Sequence, residues 1–180
     1  MAKKSIPPTL QKAVDHLSKE GKHGIVETLS GLMGIETVSS GSISLDFILG
    51  GGLPLGHVVE LRGEEGSFKT TLSLEMLKTI QKKNYKGGVV AFIDVEQTLN
   101  PDLVKTMGLD PERFIHCVPD SGESAFEIMR ELARSGVGGI VLDSVGALSP
   151  EEDLGSDMDK GRMGSQARLM WGAYRKVRGA

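Results

Sequence analysis

Four short runs rich in apolar and β-branched residues alternate along the chain with segments of helical pattern. The runs are VVELR at 58–62, VVAFID at 89–94, RFIHCV at 113–118 and GGIVLD at 138–143. The helical patterns lie near 70–83, 101–107, 123–135 and 164–177. Connections of this length between β-rich runs predict an α/β fold, in which a parallel sheet carries helices on its faces. Ligands of such a sheet bind at the carboxyl ends of its strands.

The segment GEEGSFKTT at residues 63–71 stands between the first run and the first helical pattern. A bound polyphosphate needs inward-facing backbone N–H groups, a cation, a hydroxyl for magnesium and a helix N-terminus. Lys69, Thr70 and the following helix supply these parts. The usual pattern has glycine before the lysine, where this chain has Phe68. Gly66 restores some backbone freedom, although a bulky residue cannot adopt every glycine conformation. The segment predicts a nucleoside triphosphate site, and a Gly-rich turn with a solvated lysine is the alternative.

Two acidic positions follow apolar runs at the edge where the phosphate loop is expected. GGIVLD ends at Asp143, and VVAFID continues through Asp94 to Glu96. A carboxylate at the end of a buried strand can hold magnesium, and a second carboxylate nearby can orient or deprotonate a water. We therefore assign a metal role to Asp143 and a base role to Glu96. The alternative is that acidic residues stand where the strands reach solvent.

The charge changes sign abruptly near the end of the sequence. Residues 151–159 are acidic, whereas 160–180 carry only basic charges. Arg168 and Arg175 are seven residues apart and lie on one helical face. They follow a Gly-rich loop, and together they could track a phosphate backbone, with an apolar side chain wedged between bases; the loop contributes Lys160, Arg162 and Met163. A solvated basic helix is the alternative.

Composition and length narrow the class. A chain of 180 residues with 25% charged residues fits one soluble globular core, and a net charge of −3 provides no global field toward nucleic acid or membrane. One cysteine, Cys117, excludes an internal disulfide and is interpreted as a packing residue. The sequence shows no apolar segment of signal-peptide or membrane-spanning type, so we expect a cytoplasmic protein with no membrane role.

Residues 1–34 are expected to form an arm that precedes a core at 35–180. PPTLQKAVDHLSKE at 7–20 places Leu10, Val14 and Leu17 at helical spacing, and GIVETL after it is a candidate strand. A short amphipathic helix docks either on its own domain or on a neighbouring subunit. The sequence leaves both open.

The strings SSGSISLDFILGGGLPLGHVVELRG, AFIDVEQTLNP, PDSGESAFEI, ARSG and VLDSVGAL resemble the core of RecA recombinases in order and spacing. The resemblance extends from about residue 35 to 178. The Ser-Phe-Lys of the loop is similar to that of UvsX-type recombinases of bacteriophages, which suggests a phage-like member. The resemblance to RecA recombinases also implies the fold, which is a RecA-like phosphate-loop ATPase core that is incomplete at its C-terminal end.

The resemblance implies roles for individual residues around ATP and Mg2+. Lys69 would contact the β- and γ-phosphates, Thr70 and Asp143 would serve magnesium, and Glu96 would activate water. Asn100 and Leu103 replace an aspartate and a stacking tyrosine on the adenine side, which leaves base recognition open. The nucleotide-binding set is Gly63, Glu64, Glu65, Gly66, Ser67, Phe68, Lys69, Thr70, Thr71 and Asn100.

The resemblance also implies partners. Residues 155–164 are similar to the first DNA-binding loop of the family, with Met163 at the intercalating position and Arg168 and Arg175 beside single-stranded DNA. The N-terminal arm would dock on the adjacent protomer of a homo-oligomeric filament. The family continues beyond this point with further strands and a second DNA-binding loop. A partner segment that supplies this C-terminal half, a truncated chain and a degenerate gene product are all open.

The function expected is that of an ATP-dependent DNA recombinase, which binds single-stranded DNA as a filament and promotes homologous pairing and strand exchange. Its enzymatic activity would be that of a DNA-dependent ATPase. One alternative is a non-catalytic fragment that binds or modulates a full-length recombinase filament. Another is a hexameric helicase-type motor on the same fold, which would share the phosphate loop and Glu96.

Overall fold

A computed structural model describes residues 7–20 and 35–148 together with Met170. The chain divides into a unit of residues 1–36 and a unit of residues 37–180. In the first unit, helix α1 spans Pro8–Glu20, which confirms the helix predicted from residue 7 to 20. The candidate strand GIVETL lies outside the described residues. The docking of the arm and the boundary at residue 34 stay predictions.

The described part of the second unit contains a parallel sheet of three strands, β3 (Val90–Asp94), β4 (Phe114–Cys117) and β5 (Gly139–Asp143). Its order is β4-β3-β5, so β3 is central. The prediction of a parallel α/β sheet is confirmed. In the β3–β5 register Asp94 stands opposite Asp143, and both strands therefore end together at one edge.

Helices cover both faces of this sheet. The helices are α3 (Lys69–Lys83), α4 (Pro101–Thr106) and α5 (Gly122–Arg134), as the helical patterns predict. One core joins Leu74, Leu77 and Ile80 of α3 to Val90 and Phe92 of β3. These helix residues recur at three-residue intervals, which places them on one buried stripe. The second core packs the opposite face of the sheet against α5, around Ile93, Ala125 and Leu148.

Successive side chains of a strand point to opposite faces of the sheet, so residues two apart lie on the same face. Phe92 belongs to the α3 core and Ile93 to the α5 core, so Asp94, two residues after Phe92, faces the α3 side. The same alternation puts Asp143 on the face of Val141, which packs in the α3 core. Both aspartates therefore lie on the side of the sheet from which α3 begins.

The strand predicted at residues 58–62 is wrong. The structure assigns no strand there, and the side chains of Val58 and Val59 are 55% and 45% exposed. Strand structure requires a hydrogen-bonded partner, and none of the described strands pairs with this segment. The apolar, β-branched composition of this segment is typical of a strand, but the described strands offer it no pairing partner.

Small elements near the start of the second unit were not predicted. They are the strands β1 (Thr37–Val38) and β2 (Leu53–Pro54), which pair antiparallel, and helix α2 (Ile43–Ile48). The two-residue strands are too short to show a period. Ser42 caps α2 by accepting from the N–H of Leu45.

The final helix predicted at 164–177 lies outside the described residues except for Met170, which is helical and packs against the α5 core. Within residues 7–20 and 35–148, no helix combines the length and the apolar character needed to cross a bilayer.

Candidate functional site

The loop before α3 adopts the backbone shape that its missing glycine would favour. Phe68 has φ 61° and ψ 26°, in the left-handed region, and Gly66 has φ 74°. A bulky residue adopts this region at a cost of roughly 1–2 kcal/mol. A bulky residue cannot adopt every glycine conformation, but Phe68 adopts the left-handed one here. The side chain of Phe68 is 76% exposed.

The ammonium group of Lys69 lies across the loop. Its Nζ atom donates to the carbonyl oxygens of Gly63 at 3.0 Å and of Glu64 at 2.7 Å. The N–H of Ser67 donates to the same Glu64 carbonyl at 3.2 Å, which closes a turn. A Cβ atom at Gly63 would lie 2.6 Å from Ser67 Oγ, so a side chain there would require the Ser67 hydroxyl to rotate away.

The N-terminus of α3 opens onto this loop. Phe68 occupies the N-cap position and makes no side-chain hydrogen bond to the first turn. The first N–H groups of a helix have no intrahelical acceptor, and together with the helix dipole they attract anions. Thr71 lies in this first turn and is half-buried. The loop residues Glu64, Glu65 and Ser67 are exposed.

Thr70 connects the start of α3 to the end of β5. Its Oγ1 donates a 2.5 Å hydrogen bond to Oδ2 of Asp143. Thr70 and Asp143 were both assigned to magnesium from the sequence, and the structure brings them into direct contact. A hydroxyl and a carboxylate are oxygen ligands of the kind Mg2+ prefers.

Glu96 follows β3 and reaches the segment after β5. Its Oε1 accepts a 2.5 Å hydrogen bond from the Oγ of Ser144, the residue after Asp143. The two carboxylates assigned to metal and base roles thus lie at the same edge of the sheet. Ser144 was not predicted, although its place directly after a strand-ending aspartate is the signal that could have found it.

The structure describes some of the remaining predicted residues and not others. Asn100 is exposed, and its Oδ1 accepts from the N–H of Asp102 at 2.9 Å, so it caps α4. Leu103 is on the first turns of α4 and is partly exposed. The predicted DNA-binding residues Lys160, Arg162, Met163, Arg168 and Arg175 lie outside the described residues.

The donor set bears on what the site could hold. Among residues 7–20 and 35–148, no group of three or more His, Cys, Asp or Glu side chains forms a metal-binding cluster. The Thr70 hydroxyl and the Asp143 carboxylate are two protein oxygens, and Mg2+ at nucleotide sites takes its other oxygens from phosphates and water. The residues present therefore fit Mg2+ held together with a nucleotide.

Cys117 is the last residue of β4. It is half-buried and packs against the α5 core. Burial raises the pKa of its thiol above 9.0, which suppresses the reactive thiolate at neutral pH. Its interpretation as a packing residue agrees with this placement.

Together the loop, α3 and the two strand ends define an α/β protein whose phosphate-loop-like segment lies at the carboxyl edge of a parallel sheet. Comparison with known families gives the particular family. The model of the RecA N-terminal domain matches residues 8–180, and the chain therefore belongs to this family.

Curated relatives agree with this assignment. Protein RecA of Arthrospira platensis is 44% identical over 186 residues, which cover 99% of this chain and 50% of that protein. Protein RecA of Wigglesworthia glossinidia brevipalpis is 44% identical over 174 residues, or 94% of this chain and 52% of that protein. Protein RecA of Rippkaea orientalis is 46% identical over 148 residues, or 82% and 42%. The chain spans about half the length of the relatives it matches. The phage UvsX-type subgroup stays a prediction.

Proposed function

We propose that this chain is the nucleotide-binding part of a RecA-family recombinase, a cytoplasmic DNA-dependent ATPase that binds ATP and Mg2+. The observation that carries the proposal is the contact between Thr70 at the start of α3 and Asp143 at the end of β5. It brings together the two residues that we propose as magnesium ligands, and Thr70 directly follows Lys69. Membership of the RecA N-terminal domain family supports the same role.

The chain's own groups would divide the work of binding. Lys69 now satisfies two loop carbonyls, and a phosphate would offer its ammonium group oxygens of higher charge. The uncapped N–H groups of α3 would receive the same phosphates. Bound Mg2+ would neutralise phosphate charge, with Thr70 and Asp143 as its protein oxygens. Glu96, held by Ser144, would orient the attacking water.

Calorimetric titration with Mg-ATP tests the phosphate loop. Lys69→Ala should abolish measurable binding, because the phosphates lose their cation, and leave the circular dichroism spectrum unchanged. Lys82→Ala is the matched control, because Lys82 is an exposed lysine in the last turn of the same helix. Unchanged ATP affinity in Lys69→Ala would reject the nucleotide site.

The DNA proposal concerns residues outside the described part of the chain. Single-stranded DNA would bind along the loop near 155–164 and the basic face of Arg168 and Arg175. Replacing both arginines by alanine should weaken binding and reduce the salt slope by roughly 0.7 for each lost phosphate contact. Arg134→Ala, an exposed arginine of α5, is the control. An unaltered slope would remove the basic face from the proposal.

Filament formation and strand exchange would belong to the complete protein, with the N-terminal arm docked on a neighbouring protomer. ATP turnover should be measured for this chain with and without single-stranded DNA, and again after adding the C-terminal half of a RecA relative. Turnover that DNA stimulates supports the recombinase assignment. Absent turnover with inhibition of a complete filament would indicate a modulating fragment, and rings under the electron microscope would indicate a helicase-type motor.

A further inference from the structure

A buried aspartate shapes the loop that carries Glu96. Asp94 is the last residue of β3, and its side chain is only 2% exposed. Its Oδ1 accepts from the N–H of Thr98 and its Oδ2 from the N–H of Leu99, both at 3.1 Å. The carboxylate therefore closes the chain from residue 94 to 99 into a loop. Glu96 lies inside this loop.

A histidine on the neighbouring strand β4 makes a third hydrogen bond to this carboxylate. His116 stands opposite Phe92 in the β3–β4 register, so its ring lies on the same face of the sheet as Asp94. Its Nε2 lies 3.1 Å from Asp94 Oδ2, and it is the donor because a carboxylate only accepts. The His116 side chain is 43% exposed, whereas the aspartate is enclosed.

Three donors thus converge on one enclosed carboxylate, and two of them are backbone N–H groups of the loop. The loop also contains Gln97 at φ 55°, in the left-handed region, which a free chain rarely adopts. The hydrogen bonds to Thr98 and Leu99 hold the backbone on both sides of this turn. Glu96 then extends to Ser144, so its position depends on Asp94 through the backbone and on Ser144 through its own carboxylate.

We infer that Asp94 and His116 are positioning residues for Glu96. Asp94 fixes the loop. His116 holds the Asp94 carboxylate in the rotamer in which its oxygens accept from the N–H groups of Thr98 and Leu99. The inference rests on the proposed function only for the role of Glu96 in hydrolysis. The dependence of the Glu96 position on Asp94 is a separate claim with its own measurement.

The first measurement follows the loop by NMR in the nucleotide-free chain. Asp94→Asn replaces one accepting oxygen by an NH2 donor. The backbone N–H of Thr98 or Leu99 that loses its acceptor should exchange with solvent about tenfold faster or more, as loss of a hydrogen bond to a charged acceptor implies. The carboxyl carbon resonance of Glu96 should shift. Asp110→Asn is the matched control, since Asp110 also accepts from a backbone N–H and from a side chain, Arg113.

His116 provides a variant that leaves the buried aspartate in place. His116→Gln retains a donor and should leave the Glu96 resonance near its original position, whereas His116→Leu should shift it in the same direction as Asp94→Asn. A Glu96 resonance that stays in place in Asp94→Asn, or equal shifts in both His116 variants, would overturn the positioning role.

Turnover separates this inference from the proposed function. Asp94→Asn should lower kcat by up to about 100-fold, the cost of a small misplacement of a reacting group, with the Kd for Mg-ATP changed less than about twofold. In a Glu96→Gln background the same substitution should cause no further loss, because its effect passes through Glu96. Equal losses in both backgrounds would reject the inference. Unaltered ATP affinity in Lys69→Ala rejects the proposed function while leaving the NMR result valid.

Discussion

The hydroxyl of Thr70 donates to the carboxylate of Asp143 across 73 residues of sequence. This contact joins the first turn of α3 to the carboxyl end of β5. It exists because Asp143 lies on the face of the sheet that packs against α3, where Val141 contributes to the core. The start of α3 and the end of β5 are thereby held together.

Thr70→Val should remove this hydrogen bond while keeping the side-chain shape. We expect the free energy of unfolding to fall by about 1 kcal/mol, because the Asp143 carboxylate loses a donor. The affinity for ATP should also lose its dependence on Mg2+. Thr70→Ser keeps the hydroxyl and should retain both properties. Urea unfolding and calorimetry with and without Mg2+ measure the two effects, and equal behaviour of the two variants would contradict the prediction.

The left-handed backbone of Phe68 gives a second prediction. Phe68→Gly should be more stable than Phe68→Ala by about 1 kcal/mol, because only glycine adopts this region without steric cost. The large exposure of the phenyl ring means that either change removes little packing. Phe47 is the control: it is exposed but helical, so Phe47→Gly should be less stable than Phe47→Ala by about 1 kcal/mol. Urea midpoints that rank both pairs alike would show that backbone strain is absent at Phe68.

The sequence predicted the parallel sheet from its apolar runs, and it predicted α3 and α5 because these helices are long enough to show their periodicity. The strands β3 and β5 carry no polar side chain before their final aspartates, and α3 has a regular buried stripe. Lys69, Thr70 and Asp143 followed from the chemistry of a phosphate site, and the structure brings their elements together. The failure at 58–62 has a physical cause, because pairing depends on a second strand that local composition cannot reveal.

Details of the site depended on register and backbone shape. That Asp94 stands opposite Asp143 follows from the register of β3 and β5, which no local pattern specifies. The left-handed conformation of Phe68 costs too little for the sequence to exclude it, since roughly 1–2 kcal/mol is small beside the packing of α3. Ser144 was not predicted, because only its place directly after the strand-ending Asp143 marks it in the sequence.

The difference in exposure between two phenylalanines predicts stability losses of very different size for the same substitution. Phe92 is 1% exposed in the α3 core and stacks with Phe114 at a centroid distance of 6.4 Å, whereas Phe47 is 87% exposed on α2. Phe92→Ala should lower the free energy of unfolding by about 3–5 kcal/mol through lost packing and a cavity. Phe47→Ala should change it by less than about 0.5 kcal/mol. Urea denaturation followed by circular dichroism compares them, and similar losses would mean that Phe47 is buried in solution.

Asp46 makes the stability of the second unit depend on pH. Its carboxylate accepts from the hydroxyls of Ser39 and Ser40 and from the Ser40 N–H, all at 2.6–2.7 Å. The hydrogen bond from Ser39, followed by those from Ser40, lowers the pKa of Asp46 below its ordinary value of 3.8. A carboxyl whose pKa is depressed on folding stabilises the protein above the unfolded pKa and loses that contribution as pH falls through the folded pKa.

Asp46→Asn should therefore reduce the urea midpoint fully at pH 7, and the difference from the parent chain should stay constant down to about pH 3.8 and shrink below it. The amide can accept through only one oxygen, so at neutral pH it cannot replace the carboxylate between two serines. Asp120→Asn, which alters an exposed aspartate, serves as the control. A difference that grows on acidification would reverse the sign of the linkage and show that the neutral form of Asp46 is the one these serines stabilise.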